Sequence, residues 1–314
     1  MPIWLNKSWE MILTMSYHNP VLLQEAVEGL NIAPDGIYVD VTFGGGGHSR
    51  AILDQLGPHG KLIAFDQDID ALDNKLDDER FLLIHQNFRH AKRFLRFHGF
   101  DQIDGLLADL GVSSHQFDQA DRGFSTRFNG TLDMRMNQSE NVSAMEVVNQ
   151  FDEAQLRYIF KEYGELHQAN LLAGNIVRAR VTKSIETTEE LNNLVRRLVP
   201  GKRENKVLAQ IYQAIRIEVN QEIDALKELL LQLPALVKPG GRISFMSYHS
   251  LEDRLVKRFI RNGMFEGEAE KDLFGNTTVP FFKVGQMIVP SDAEIAENGR
   301  ARSAKLRIAE RYSN

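Results

Sequence analysis

The sequence predicts an α/β protein: an open, doubly wound sheet whose chain is interrupted by an all-helical insertion. Three observations carry this. Residues 36–110 alternate short strand-like runs with helical patterns, the βαβ rhythm of a parallel sheet. Four consecutive glycines, Gly44 to Gly47, close the first strand-like run and open a helical one. The rhythm stops after Asp109, gives way to helical patterning over 143–219, and resumes after Gln221.

The elements follow in order. Strand-like runs lie near 37–43, 61–65, 81–84 and 103–109, with helical patterns near 48–56, 68–76 and 90–98. The fourth run, D-G-L-L-A-D-L-G, puts Asp109 at the carboxyl edge of the sheet, where open α/β sheets bind ligands. Residues 117–142 are polar, without a sustained period. S-A-M-E at 143–146 and T-T-E-E at 187–190 read as capping boxes, and Gly164 and Pro200-Gly201 as helix ends. Leu166, Ala169, Ala173, Ile176 and Val177 form a helical apolar stripe expected to pack as core. A helix through Leu226, Leu229, Leu230 and Leu233 then leads to K-P-G-G at 238–241, read as a turn, and to the strand R-I-S-F-M-S. The expected organisation is a discontinuous nucleoside-binding domain, 17–116 and 222–314, with an inserted helical domain at 117–221. Residues 1–16 are read as an N-terminal extension without a targeting signal.

Composition narrows the function. Hydrophobic content of 43% supports a sizeable core, and no apolar run is long enough to span a membrane. The absence of cysteine excludes disulfides, thiolate zinc sites, iron–sulfur clusters and thiol nucleophiles. The net charge of −6 does not announce a nucleic-acid binder, but its distribution is uneven. Residues 66–79 are acidic, whereas basic groups gather at 89–96, 178–183, 196–203 and 300–311.

The glycine loop sets the chemistry. Glycines between a strand and a helix let backbone N–H groups approach a ligand. Asp66 ends the next run, K-L-I-A-F-D, where a carboxylate can take ribose hydroxyls. The dinucleotide pattern G-x-G-x-x-G fails, because the sixth position is Ser49 from Gly44 and Arg50 from Gly45. No Walker Lys follows. The string reads acid-x-Thr-x-Gly-x-Gly from Asp40, which resembles the first motif of S-adenosylmethionine methyltransferases. A nicotinamide-dependent oxidoreductase and a non-catalytic RNA-binding factor remain the alternatives from these residues alone.

Three denser strings add to it: A-D-L-G-V-S-S-H-Q-F-D at 108–118, D-R-G-F-S at 121–125 with L-D-M-R-M at 132–136, and Y-H-S-L-E-D-R-L-V-K at 248–257. Y-H-N-P-V-L-L-Q-E at 17–25, F-D-Q-D at 65–68, N-F-R at 87–89, Y-G-E at 163–165, Q-A-I-R-I-E-V-N at 213–220 and R-A-R-S-A-K-L-R at 300–307 complete a set running in order through about 17–310. Together they resemble the bacterial small-subunit ribosomal RNA cytosine-N(4) methyltransferases, the MraW or ribosomal RNA methyltransferase H type. The chain departs from that family at N-K-V-L-A-Q-I-Y-Q-A, where a His-Pro-Ala-Thr-Arg-like run is common. It also has Tyr248 where Phe is frequent and Gly299 where Pro is frequent.

The resemblance implies a Rossmann-like class I methyltransferase sheet and S-adenosylmethionine as methyl donor. It also implies, as substrate, a cytidine of 16S ribosomal RNA within a small ribosomal subunit or late assembly intermediate. Cofactor contacts carried over are Gly46, Gly47, His48, Asp66, Phe88, Asp109 and Gln116. Gly46 and Gly47 are expected to offer N–H groups to the methionine carboxylate, and Phe88 to stack on adenine. Asp109 can receive the methionine ammonium or orient the target amine, for which it is the candidate acceptor with backbone carbonyls of D-L-G-V-S-S as the alternative, and His48 reads equally as a satisfied helix-start histidine. That string stands where many amino-methyltransferases have Asp/Asn-Pro-Pro-aromatic. Without cysteine, the usual route to carbon-5 methylation of cytosine is closed. Arg122, Phe124, Arg135, His249 and Arg254 are candidates to stack on an extruded base or clamp RNA phosphates. No metal is expected, the location is expected to be cytoplasmic, and a homodimer stays open. Because the glycine loop and Asp66 lie outside 117–221, cofactor and RNA binding are expected to be partly separable.

Overall fold

The computed structural model describes residues 20–199, 201–267 and 279–313. The expected extension at 1–16, the start of the Y-H-N-P motif and Pro200 lie outside them. The first half builds α1 (Leu23–Glu28), β1 (Ile37–Asp40), α2 (Gly47–Leu53), β2 (Lys61–Asp66), β3 (Phe81–His85), α3 (Ala91–Phe97) and β4 (Ile103–Asp109). Each strand falls on a run expected from the sequence. The segment expected as a helix over 68–76 is a 3-10 turn, Ile69–Asn74. The Asp68 side chain accepts the Asp70 N–H at 3.2 Å and tightens the entry, as Asp does where it competes with helical bonding.

After β4 the chain forms α4 (Ser114–Asp118), α5 (Ala144–Gln150), α6 (Glu153–Glu162), α7 (Ala169–Thr182), α8 (Thr188–Leu198) and α9 (Glu204–Asn220). Ser143 and Glu146, and Thr187 and Glu190, close the two expected capping boxes. Leu172, Ala173 and Ile176 of α7 meet Phe160, Leu191, Ile211 and Ile215 in an apolar cluster distinct from those on the sheet.

α10 (Glu222–Leu236), β5 (Val237–Ser247), α11 (Ser250–Asn262), β6 (Phe281–Ile288), α12 (Asp292–Glu297) and β7 (Lys305–Arg311) complete the chain. The sheet has seven strands in the order β3-β2-β1-β4-β5-β7-β6. β1 to β5 are parallel, and β7 runs antiparallel to both neighbours. K-P-G-G is not a turn before the strand. Val237 already pairs with Ile103, Arg242 pairs with Gly105, and the residues between bulge out of the ladder.

Helices cover both faces. Leu229, Leu230 and Leu233 of α10 and Phe259 of α11 bury one face with Ile63, Phe65 and Phe245. Ala26 and Val27 of α1 and Ile52 of α2 bury the other with Tyr38, Leu62 and Leu306. Each fully buried leucine contributes about 1.5–3 kcal/mol relative to exposure, and the packing fixes the strand ends that carry the site.

The C-terminal antiparallel pair of β6 and β7, joined through α12, is absent from the sequence reading. Its alternation, inward Leu306 and Ile308 against outward Lys305 and Arg307, lay hidden in an apparent basic cluster. Those cations have local partners. Arg307 Nε donates to Asp253 at 2.7 Å, Arg300 to Asp118 at 2.6 Å, and Lys305 lies 3.4 Å from Asp253.

Candidate active site

The carboxyl ends of β1, β2 and β4 open on one cleft of about 950 Å3. Gly47, His48, Asp66, Phe88, Asp109 and Gln116 all line it. Gly46 does not face it as expected. Its N–H closes a turn on the Phe43 carbonyl at 2.7 Å, and its φ of 75° is the left-handed geometry that lets the loop enter α2. Gly47 meets a different demand, because a Cβ there would stand 2.4 Å from Pro20 Cγ.

Carboxylates dominate the inner wall, and Asp40 is buried behind it. Asp40 is buried and accepts from Ser49 Oγ at 2.7 Å and from the Thr42 N–H at 3.1 Å. Burial nonetheless pushes its pKa up to about 6. Asp66 takes the Gly44 N–H at 2.7 Å on one oxygen and the Asp68 N–H at 2.9 Å on the other. Burial outweighs these bonds, and its pKa also rises to about 6. Each carboxylate oxygen keeps a further lone pair.

Asp109 ends β4. Its N–H donates to Thr42 Oγ1 at 2.7 Å, which ties β4 to the loop after β1 and gives the threonine its role. Tyr248 Oη donates to Asp109 Oδ1 at 2.9 Å, while His48 Nδ1 lies 3.8 Å from Oδ2. Burial raises Asp109 to about 7 although the Tyr248 bond opposes it. Burial lowers His48 to about 4, so it is neutral at pH 7, and its Nε2 is buried without a partner.

The expected RNA residues divide differently. Arg122 is interior: it donates to Asp68 at 2.9 Å, to Asp70 at 2.7 Å and to the Arg135 carbonyl at 2.9 Å. Phe124 is 4% exposed in the helical core, so no ring face is open to a base. Arg135 is held by Asp133 at 2.7 Å and by the Gln138 and Glu140 carbonyls. His249 is buried beside Glu252. Only Arg254 lies well out, paired with Glu165 at 2.6 Å. The strings at 121–136 therefore act as ties. The acidic run 66–79 supplies the counter-charges, and Gln116 Nε2 joins them by donating to Asp68 at 2.6 Å.

Sequence reasoning missed Asp40, Asp68, Glu222, Tyr248 and Glu252. Asp40 and Asp68 stood in the motifs already noted, the first at the end of β1 and the second within F-D-Q-D. Glu252 is buried, accepts the Tyr248 N–H at 3.1 Å and lines the cleft with Glu222. Burial would raise Glu252, but His249, Arg216 and the Tyr248 N–H together hold it below the usual carboxylate range.

A family model described as the MraW methylase family matches residues 15–312. Ribosomal RNA small subunit methyltransferase H of Christiangramia forsetii is 63% identical over 299 residues, covering 95% of this chain and 99% of that relative. The protein of that name from Flavobacterium johnsoniae is 64% identical, covering 96% and 100%. That of Bacteroides thetaiotaomicron is 53% identical, covering 95% and 98%. Among solved structures, an rRNA methylase from Streptococcus thermophilus is 13% identical with a TM-score of 0.41, covering 93% of this chain and 94% of its own.

Proposed function

The chain belongs to the MraW methylase family, and on that premise we propose that it methylates the exocyclic N(4) amine of a cytidine in 16S ribosomal RNA. S-adenosylmethionine is the proposed donor, and its bound sulfonium would supply an electrophilic methyl group. The observation that carries this reading is the pair of raised carboxylates, Asp66 and Asp109, that line the cleft, with the buried Asp40 carboxyl close to both. Such a wall favours a ligand that brings positive charge, because a nearby cation restores the ionised form. An ammonium and a sulfonium answer that demand, whereas a dinucleotide pyrophosphate opposes it.

The residues divide the work. Asp66 keeps lone pairs for ribose hydroxyls, and the first N–H groups of α2, from Gly47, lack intrahelical acceptors and suit a carboxylate. Phe88 offers a half-buried face at the end of β3 for the adenine. The cytosine amine is a poor nucleophile, since its lone pair is delocalised into the ring. Asp109, fixed by Tyr248, accepts an amine hydrogen, turns the lone pair toward the methyl, and is placed to take the proton released as the N–C bond forms. Residues 117–221 form the substrate-recognition domain in this reading. Arg197, Lys202 and Arg203 are exposed there and make no ion pair within 4 Å among the described residues. The enzyme would work where small subunits are assembled, in the cytoplasm. No described helix is long and apolar enough to cross a membrane.

The test is incubation with small ribosomal subunits lacking the modification and methyl-labelled S-adenosylmethionine, followed by nucleoside mass analysis. N(4)-methylcytidine is expected. Label on cytosine carbon 5, or only on ribose, rejects the assignment.

A further inference from the structure

Beside Asp109 stands a second group of side chains that the methyl transfer described above does not use. Glu222 opens α10, His249 immediately precedes α11, and Glu252 lies in its first turn. One ligand atom from each lies within 4.8 Å of the others. The side chains are 11%, 8% and 4% exposed. Both carboxylates line the cleft, so the group meets the substrate space on one side and protein on the other.

Two features separate it from an ordinary buried ion pair. First, His249 has no hydrogen bond at either ring nitrogen, although both are buried. Its Nε2 comes 3.1 Å from Glu252 Oε1, but off the line a hydrogen bond requires. Buried polar atoms without partners are rare in folded proteins and call for an explanation. Second, both carboxylates are already oriented from behind. Arg216 donates to the two oxygens of Glu222 at 2.8 and 2.9 Å, and the Tyr248 N–H donates to Glu252 Oε2 at 3.1 Å. Outer hydrogen bonds of this kind fix the ligands of metal sites.

We infer that Glu222, His249 and Glu252 form a binding site for a divalent transition-metal ion at the inner wall of the cleft. One imidazole and two carboxylates suit Mn2+ or Zn2+, whereas Mg2+ and Ca2+ prefer all-oxygen shells. Donors around a tetrahedral ion lie about 3.4 Å apart. The present spread of up to 4.8 Å exceeds that by about 1.4 Å, a gap within reach of side-chain rotation. With His249 in the neutral form that ligates a metal, the two carboxylates carry two negative charges against the single positive charge of Arg216, which leaves a net attraction for a dication. Three protein ligands leave at least one coordination position, facing the cleft, for water or a substrate oxygen.

Metal binding can be read without any methylation. The full-length protein, stripped with EDTA and desalted, is titrated with MnCl2 and followed by electron paramagnetic resonance. One equivalent is expected to bind, with spin-echo modulation from one coordinated imidazole nitrogen, and ZnCl2 is expected to displace it. His249→Gln and Glu252→Gln, checked for folding by circular dichroism, should each lose at least tenfold in affinity, and the first should lose the nitrogen modulation. Absence of saturable binding below millimolar Mn2+, or binding without imidazole modulation in the wild type, overturns the site. So does unchanged binding in folded His249→Gln. The wild-type spectrum alone decides if that variant does not fold.

Discussion

Cofactor affinity should fall steeply with acidification, and Asp109 should account for most of the fall. Its pKa near 7 means that about a tenth of molecules carry a proton there at pH 8 and about nine-tenths at pH 6. The ionised form attracts a cationic ligand, so the protonated molecules must first lose the proton. Loss of the binding-competent fraction weakens the apparent Kd about tenfold between pH 8 and pH 6, or ~1.4 kcal/mol. Asp66, near 6, adds about a factor of two over the same interval. The sign is that of a raised carboxylate: binding is strong above the folded pKa and lost as pH falls through it. Calorimetry with S-adenosylmethionine in buffers of differing ionisation enthalpy reads both consequences, the slope and a release of about half a proton at pH 7. Asp109→Asn should keep only the twofold residue of the slope. A flat wild-type profile, or the same slope in a folded Asp109→Asn protein, refutes the electrostatic reading of the wall.

Other substitutions separate the remaining roles. Asp66→Ala should weaken cofactor binding by roughly 1–3 kcal/mol, the penalty for unmatched polar partners, and unchanged calorimetric affinity would remove Asp66 from the site. Asp109→Asn should also lower the single-turnover rate at saturating cofactor by about 100-fold or more; a rate within threefold of wild type would move the acceptor role to backbone carbonyls. Arg122→Ala strips the cation from a buried cluster with Asp68 and Asp70 and should cost about 3–5 kcal/mol of stability, read by chemical denaturation. A loss below 1 kcal/mol would mean that the cluster is solvated. Changing Arg197, Lys202 and Arg203 to Gln should flatten the slope of log K for RNA against log salt by about 2, at roughly 0.7 per single-strand phosphate contact. An unaltered slope would make them a solvated face.

The legible part of this protein is what depends on neighbours in sequence. Four parallel strands were readable because each is a short apolar run bounded by polar or glycine residues, and the capping boxes because their partners stand three residues apart. The place of the glycine loop between β1 and α2, and of Asp66 at the end of β2, was readable for the same reason. What failed depends on pairing across the fold. Arg122 looks like a phosphate clamp until Asp68 and Asp70 come to meet it, and Lys305 and Arg307 look like a basic tail until Asp253 does. Phe124 could not be told from a stacking residue, because burial of one ring is decided by helices far along the chain. Glu222, His249 and Glu252 lie on two separate segments, and only the packing of α10 beside α11 makes them a group.

The same cross-chain pairing bears on how the proposed cofactor and substrate parts communicate. From the sequence they were expected to be partly separable, since Asp66 and the glycine loop lie outside 117–221. The folded chain joins them through the segment just after β2. Asp68 receives Gln116 and Arg122, Asp70 receives Arg122, and Gln67 Nε2 stands 3.2 Å from Met136 Sδ. Asp68 also shares its backbone N–H with the Asp66 carboxylate. A ligand that draws Asp66 toward a ribose therefore pulls on the residues that anchor Arg122, and with it the 121–136 strand of ties. Coupling of this kind is reciprocal by linkage. Cofactor binding should slow amide exchange at 122–136 as well as at 44–49, and Arg122→Ala should confine that protection to the glycine loop. Protection limited to 44–49 in the wild type would show that the two parts are energetically independent despite the contacts between them.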